Sequence, residues 1–264
     1  MQIQKLAILI VSCDKYSDLW KPYFNLFNQF WPDCPFNIYL LSNFQNFDDS
    51  KINNISVGKD VSWSSNLEKG LSQIKEDYVM MFLDDIFLVD YVETDKVLKL
   101  CNWMFENNAN YVGMNYLQKP DKPYNNLVGI LSKGVIYRSS TILSTWKKDV
   151  LLNLLVEKES AWDFEIYGTV RSDQYDSFYS TRHECFYFIN SVIKGKWRKN
   201  ISKKLNLLNV KLDLGKRPVM NNKEEFILFL KLQRARLLSL VPAKYRRKVK
   251  DFILRGKYNY RIKN

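Results

Sequence analysis

Residues 6–41 read LAILIVSCDKYSDLWKPYFNLFNQFWPDCPFNIYLL, and three segments within them decide the fold. Leu6–Val11 is an unbroken apolar run that stops at Ser12-Cys13-Asp14, the pattern of a strand buried on both faces of a parallel sheet. Tyr16–Trp31 carries Leu19, Trp20, Tyr23, Phe24, Phe27 and Phe30 at helical spacing, on one broad apolar face. Pro32 and Pro35 stop it, because proline has no amide proton to continue the helix. Phe36–Leu41 is a second strand. Strand, helix and strand in succession imply a right-handed crossover and a doubly wound α/β sheet flanked by helices.

The rest of the chain continues the pattern. Ser64–Lys75 predicts an amphipathic helix through Leu67, Leu71 and Ile74. Tyr78–Leu83 (YVMMFL) is a third buried strand, and a short apolar segment, Ile86–Val89, resumes after Asp84-Asp85. Thr94–Asn107 predicts a helix and Tyr111–Tyr116 a strand, while two prolines make Lys119–Asn126 a loop. Gly134–Ser139 reads as a strand, Ile142–Val156 as a helix, Glu159–Tyr167 as the start of another helix, and Cys185–Ile193 as strand-like. Pro242 divides two further helices, Glu224–Val241 and Ala243–Arg255. No internal repeat is visible.

The 264 residues suffice for one sizeable core, and 46% hydrophobic and 15% aromatic content excludes global disorder. The net charge of +12 is unevenly placed: residues 1–193 carry −6 and residues 194–264 carry +18. An acidic body with a basic tail predicts an anionic partner for the tail. Its basic residues interleave with apolar stripes, as in helices that lie on anionic membrane surfaces. Packing against the body, or nonspecific nucleic-acid binding, are the alternatives; no nucleic-acid-binding motif is readable, and none is expected as a partner. Cys13, Cys34, Cys101 and Cys185 are scattered without a CxxC pair, which predicts a reducing compartment rather than a disulfide framework. No run reaches the roughly 18–20 apolar residues of a membrane span. Leu9-Ile10-Val11-Ser12-Cys13 imitates a lipoprotein cleavage box, but the preceding apolar run is short and a strand explains it.

Asp84-Asp85 is the sharpest chemical feature. In open α/β sheets, ligands bind at the carboxyl ends of the strands. Two adjacent carboxylates there repel one another unless a cation or ribose hydroxyls share them, and Mg²⁺ typically takes one or two carboxylates plus substrate phosphates. A polar turn would account for the dipeptide alone. The immediate return to Ile86-Phe87-Leu88 is unlike a solvated turn.

Three stretches together resemble a glycosyltransferase of the GT-A fold, of the kind that builds bacterial surface polysaccharides such as capsule and lipopolysaccharide. They are Val11–Trp20, Trp63 through Leu88, and Trp146 through Glu165. The resemblance covers about residues 5–200, so the expected organisation is a GT-A-like domain over 1–200 and a basic helical extension over 201–264. It implies a metal-dependent enzyme using a nucleoside-diphosphate sugar, with uridine the favoured base, and a lipid-linked glycan acceptor at the inner face of the cell membrane. Asp84 and Asp85 would form the DxD-like motif that holds Mn²⁺ or Mg²⁺ and the donor, although the chain has Asp-Asp-Ile in place of Asp-x-Asp. Asp14 and Tyr16 would lie near the base or ribose, and Trp63 would flank the nucleotide. His183, the sole histidine, reads on its own as a hydrogen-bonded structural group, and the resemblance offers it as a late metal ligand.

Glu159, Asp163 and Glu165 form a second acidic cluster. Inverting sugar transfer needs a carboxylate within hydrogen-bond reach of the attacking hydroxyl. Asp163, then Glu159, is the expected base, and Trp162 a platform for the acceptor sugar. An acidic helix N-terminus stabilised by the helix dipole is the plainer explanation. Arg171, Arg182, Lys194 and Lys196 are candidate diphosphate contacts. Inversion is expected because carboxylates are available and no enzymic nucleophile is evident. The competing class is a non-catalytic sugar-nucleotide or glycan-binding module recruited by the tail.

Overall fold

The apolar runs become the centre of a mixed sheet. A computed structural model describes residues 5–115, 118–208, 210 and 212–253. β1 (Leu6–Val11), β2 (Asn37–Ser42), β3 (Ile52–Ser56) and β4 (Tyr78–Leu83) lie side by side in parallel, in the order β3-β2-β1-β4. β9 (Ser144–Lys147) pairs antiparallel with β4, then β6 (Tyr111–Gly113), β10 (Phe178–Thr181), β8 (Val128–Ile130) and β7 (Lys122–Pro123) complete the nine-stranded sheet. All but β8 and β9 point the same way. This is the expected fold class: a mixed, mostly parallel sheet flanked by helices.

Alternation along β1 builds a core on each face. Leu6, Ile8 and Ile10 face α1 (Ser17–Phe30) and α3 (Thr94–Glu106), together with Trp31, Met80 and Phe82. Ala7, Leu9 and Val11 face α2 (Trp63–Leu71) and α4 (Lys148–Leu154), together with Trp146 and Phe164. A strand buried on both faces has no polar alternation to show, which is why LAILIV and YVMMFL are continuous.

Several segments differ from expectation. Ile142–Val156 is not one helix. Ser144–Lys147 is the strand that bridges β4 and β6, with Trp146 fully buried, and the helix begins at Lys148. Lys119–Asn126 contributes the short edge strand β7, and Gly134–Ser139 is a turn rather than a strand. The helix expected at Glu159–Tyr167 is short: α5 (Ala161–Asp163) runs into a π-helical turn at Phe164–Gly168, then α6 (Thr169–Arg171). β5 (Ile86–Leu88) and β11 (Phe188–Asn190) form a small antiparallel pair, and β12 (Val192–Ile193) and β13 (Lys196–Trp197) form another.

α7 (Lys199–Leu207), α8 (Asn222–Leu240) and α9 (Ala243–Ile253) follow. Pro242 divides the last two, as expected. Arg247 anchors α9 to the body, donating to Asp173 at 2.5 Å and to the Val135 carbonyl at 3.0 Å. Phe226, Phe229 and Leu237 of α8 are exposed. Among the described residues no helix is long and apolar enough to cross a membrane. Tyr116, Arg255 and the side chains of Arg234, Arg236, Lys244, Lys250 and Ile253, named in the strand and tail readings, lie outside the described residues.

Candidate active site

β4 ends at the edge of the sheet where β1 also ends, and Asp84 and Asp85 form the turn into β5. β5 resumes as a strand because it pairs with β11, and the main chain at Asp85 is fixed by that pairing. Ser191 donates to the Asp85 carbonyl from both its amide and its hydroxyl, each at 2.8 Å. Ser12, at the end of β1, donates its hydroxyl to the buried Asp84 carboxylate and accepts the Trp20 indole N–H at 2.7 Å. The orientation of Asp84 is therefore set by two neighbouring elements.

The pair lines a cleft of about 320 Å³, with Ser12, Cys13, Tyr16, Asp60, Trp63 and Ala161 among its other walls. Burial, then the adjacent Asp85 carboxylate, push Asp84 well above the ordinary carboxylate range. Burial pushes Asp85 up to about 6. Burial and Asp84 also raise the Tyr16 phenol. Neither aspartate has an ion-pair partner among the described residues. Two desolvated carboxylates sharing one cleft are costly to keep ionised, and a divalent cation offsets that cost. The donor set thus fits a hard cation. Among the described residues no group of three or more His, Cys, Asp and Glu side chains is placed to hold one, so the protein offers the two carboxylates.

Trp63 stands at the start of α2, whose N-cap Ser62 accepts the Ser65 amide at 3.1 Å. Its ring packs on Phe164 at 5.4 Å, and its buried indole N–H has no partner among the described residues. The acidic loop reaches the same region: the Ser64 amide donates to the Glu159 carbonyl at 3.2 Å, and the Glu159 amide donates to the Ser64 hydroxyl at 3.1 Å. Ala161 then lines the cleft, Asp163 lies half-buried two residues on, and Trp162 is 75% exposed.

The two expected bases differ in what they touch. Both Glu159 carboxylate oxygens are bound by Arg171, at 2.8 and 2.6 Å. Asp163 closes a capping box with Ser160 through Oδ2 alone; Oδ1 has no hydrogen-bond partner among the described residues. Glu165 is a structural acceptor, taking bonds from Ser140 and Thr141.

Three expectations need correction. Asp14 does not line the cleft: the amides of Asn43, Phe44 and Gln45 donate to its carboxylate at 3.0–3.2 Å, so it staples the end of β1 to the loop after β2. His183 is not brought to the aspartates. It follows β10, three strands along the sheet from β4, or roughly 14 Å at ordinary strand spacing. It lines a separate cavity with Lys96, Lys99 and Cys185, and its Nε2 lies 2.9 Å from the Asn126 carbonyl oxygen. Three of the four candidate phosphate cations are engaged elsewhere: Arg171 with Glu159, Arg182 with the Asn125 carbonyl, and Lys196 with Glu224; Lys194 stands at the turn between β12 and β13.

A cation that acts on both aspartates is one the sequence reading missed. Arg217, from the segment before α8, is 5% exposed and its charge lowers the proton affinity of both Asp84 and Asp85.

The chain matches no protein-family model and no curated protein sequence. Its fold matches solved structures. Staphylococcus aureus TarS 1–349 in complex with UDP-GlcNAc superposes with a TM-score of 0.50 at 10% identity, covering 75% of this chain and 60% of that one. The mannosyltransferase PcManGT from Pyrobaculum calidifontis, in complex with GDP-Man and Mn²⁺, gives a TM-score of 0.47 at 9% identity, covering 72% and 58%. The chain thus spans about 60% of the length of the TarS 1–349 structure. At this identity the likeness is one of fold, and the fold is GT-A-like.

Proposed function

We propose that the protein is a metal-dependent glycosyltransferase. It moves a sugar from a nucleoside-diphosphate sugar, a UDP-sugar in the first instance, to a hydroxyl of a lipid-linked oligosaccharide in surface polysaccharide synthesis, with inversion. The observation that carries this reading is the pair of carboxylates, Asp84 buried and Asp85 partly so, with no ion-pair partner among the described residues, in an aromatic-walled cleft at the carboxyl end of β4.

Mn²⁺ or Mg²⁺ would be held by Asp85 and Asp84, where it supplies Lewis-acid charge to the leaving diphosphate. Tyr16 and Trp63 wall the nucleotide. Asp163 is the base, because Oδ1 can accept the acceptor hydroxyl's proton while Oδ2 stays in the capping box. Glu159 keeps the loop in place through Arg171. Trp162 offers its exposed ring to the acceptor sugar. The catalytic residues named above all fall within 1–200, and the basic extension brings this unit to anionic lipid at the cytoplasmic face of the membrane.

The test is hydrolysis and transfer from a panel of sugar nucleotides with and without Mn²⁺. Metal-dependent turnover that disappears in Asp84→Ala/Asp85→Ala is the expected result. Normal turnover by that double variant removes the metal-site proposal. Metal-dependent binding without any turnover makes the protein a sugar-nucleotide-binding module instead.

A further inference from the structure

The C-terminal segment reaches back to the cleft and holds one of its walls. Arg217 donates from Nε and Nη2 to the two oxygens of Asp18, at 2.6 and 3.0 Å, and from Nη2 to the Lys15 carbonyl at 2.8 Å. Its guanidinium carbon lies 4.1 Å from the centre of the Tyr16 ring. The Tyr16 side chain lines the cleft with Asp84 and Asp85. Arg217 therefore touches the residue before Tyr16, the residue two after it, and the ring itself, while Lys216 also pairs with Asp18 at 3.0 Å.

The same segment is joined to the other wall. The Trp197 amide donates to the Pro218 carbonyl at 3.0 Å, and the Met220 amide to the Trp197 carbonyl at 2.8 Å. The Arg198 amide donates to the Ser191 carbonyl at 3.1 Å, and Ser191 holds the Asp85 carbonyl. Tyr16 and Asp85 are thus connected through residues 191–198 and 217–220, which lie far from both in sequence.

A buried ion pair is a poor source of net stability compared with apolar packing of the same volume, but it fixes geometry. A planar guanidinium forked on a carboxylate and lying on an aromatic face restrains position and tilt together. We propose that Arg217 is a positioning residue of the nucleotide site: it holds the Tyr16 ring as a rigid wall for the base and ribose of a nucleoside diphosphate. The inference rests on the sugar-nucleotide reading above and deepens it, since it makes the tail part of the donor site.

The test is calorimetric titration of the full chain with UDP in the presence of Mn²⁺. The variants are R217Q, R217K, Y16A and Y16A/R217Q. Loss of a charged, buried contact predicts about tenfold weaker UDP binding for R217Q, and partial recovery in R217K, which keeps the charge without the fork. Because Arg217 acts through Tyr16, the double variant should bind no more weakly than Y16A alone. A purely structural role predicts losses that multiply in the double variant, and that result overturns the proposal. So does R217Q affinity within twofold of wild type. If R217Q does not fold, R217K decides: weaker binding by a folded protein supports the role, and unchanged affinity ends it. A wild-type chain that binds no nucleoside diphosphate sinks the sugar-nucleotide reading, and this inference with it.

Discussion

Arg171 grips Glu159 by both ends of its guanidinium, Nη1 to Oε1 at 2.8 Å and Nη2 to Oε2 at 2.6 Å, and also bonds the Leu154 carbonyl. The side chains are only 17% and 12% exposed. This bidentate pair ties up both oxygens of one of the two acidic candidates, and on the proposed reading the base is then Asp163.

The two carboxylates should therefore fail differently. Asp163→Asn is expected to lower the transfer rate by about 10²–10⁴ while UDP affinity stays within a few-fold, as for loss of a general base. Arg171→Ala strands a largely covered carboxylate and should cost about 1–3 kcal/mol of stability. Steady-state kinetics and thermal melts on both variants check this; a Glu159→Gln enzyme with normal stability and a greater rate loss than Asp163→Asn would reverse the assignment.

The aspartate pair should make metal-free stability depend on pH with a definite sign. Asp85 is raised to about 6 in the folded chain, so the folded state holds its proton more tightly than the unfolded state. Its contribution is favourable below the unfolded pKa and is lost as pH rises through about 6. A rise from the ordinary carboxylate range to about 6 is worth on the order of 3 kcal/mol. In EDTA, Asp85→Asn should stabilise the chain above pH 7 and have little effect near pH 4, as followed by urea melts. A stability difference that stays flat with pH contradicts the burial of this carboxylate.

Mn²⁺ should act in the opposite direction. Binding only the native state raises apparent stability, and the ligands must be ionised to bind. Melting temperature in Mn²⁺ should exceed that in EDTA at pH 7.5, with the gap closing below pH 6. An equal gap in Asp84→Asn/Asp85→Asn protein places the metal elsewhere.

What could be read from sequence follows the physics of each element. β1 and β4 were legible because burial on both faces makes them continuous apolar runs, and Asp84-Asp85 stood out against that background. β9 was not, because Trp146, Val150, Leu151 and Leu154 continue one helical stripe across the strand–helix boundary, with no Gly or Pro to mark it. β3 was hidden by Asn53 and Asn54 in the middle of INNIS. Asp14 and His183 were single residues whose roles depend on the loops they meet. The Arg217–Asp18 pair spans 199 residues, and no local pattern announces it. The only hint was a tail arginine in a segment with few helical signals.

The strand assignment of Trp146 carries its own prediction. Its ring is fully buried and packs on Tyr111, Phe164 and Phe178. Trp146→Ala should cost about 3–5 kcal/mol, visible as a lower urea midpoint with an unchanged slope. A loss under 1 kcal/mol would mean the indole is not in the core.

The proposed contact with lipid can be tested apart from folding on α8. Phe226, Phe229 and Leu237 are 59%, 52% and 65% exposed. Replacing all three by serine should leave the melting temperature unchanged and abolish co-sedimentation with phosphatidylglycerol vesicles, where buried apolar area and basic charge act together. Undiminished pelleting of the triple variant rules α8 out as the contact.

One titration bears most directly on the whole account: UDP added to the full chain with saturating Mn²⁺, compared between wild type and Asp84→Asn/Asp85→Asn. Saturable metal-dependent binding to the wild type, and none to a variant that melts at least as high, is the predicted outcome. Equal UDP affinity in both proteins would show that the two aspartates hold neither cation nor diphosphate.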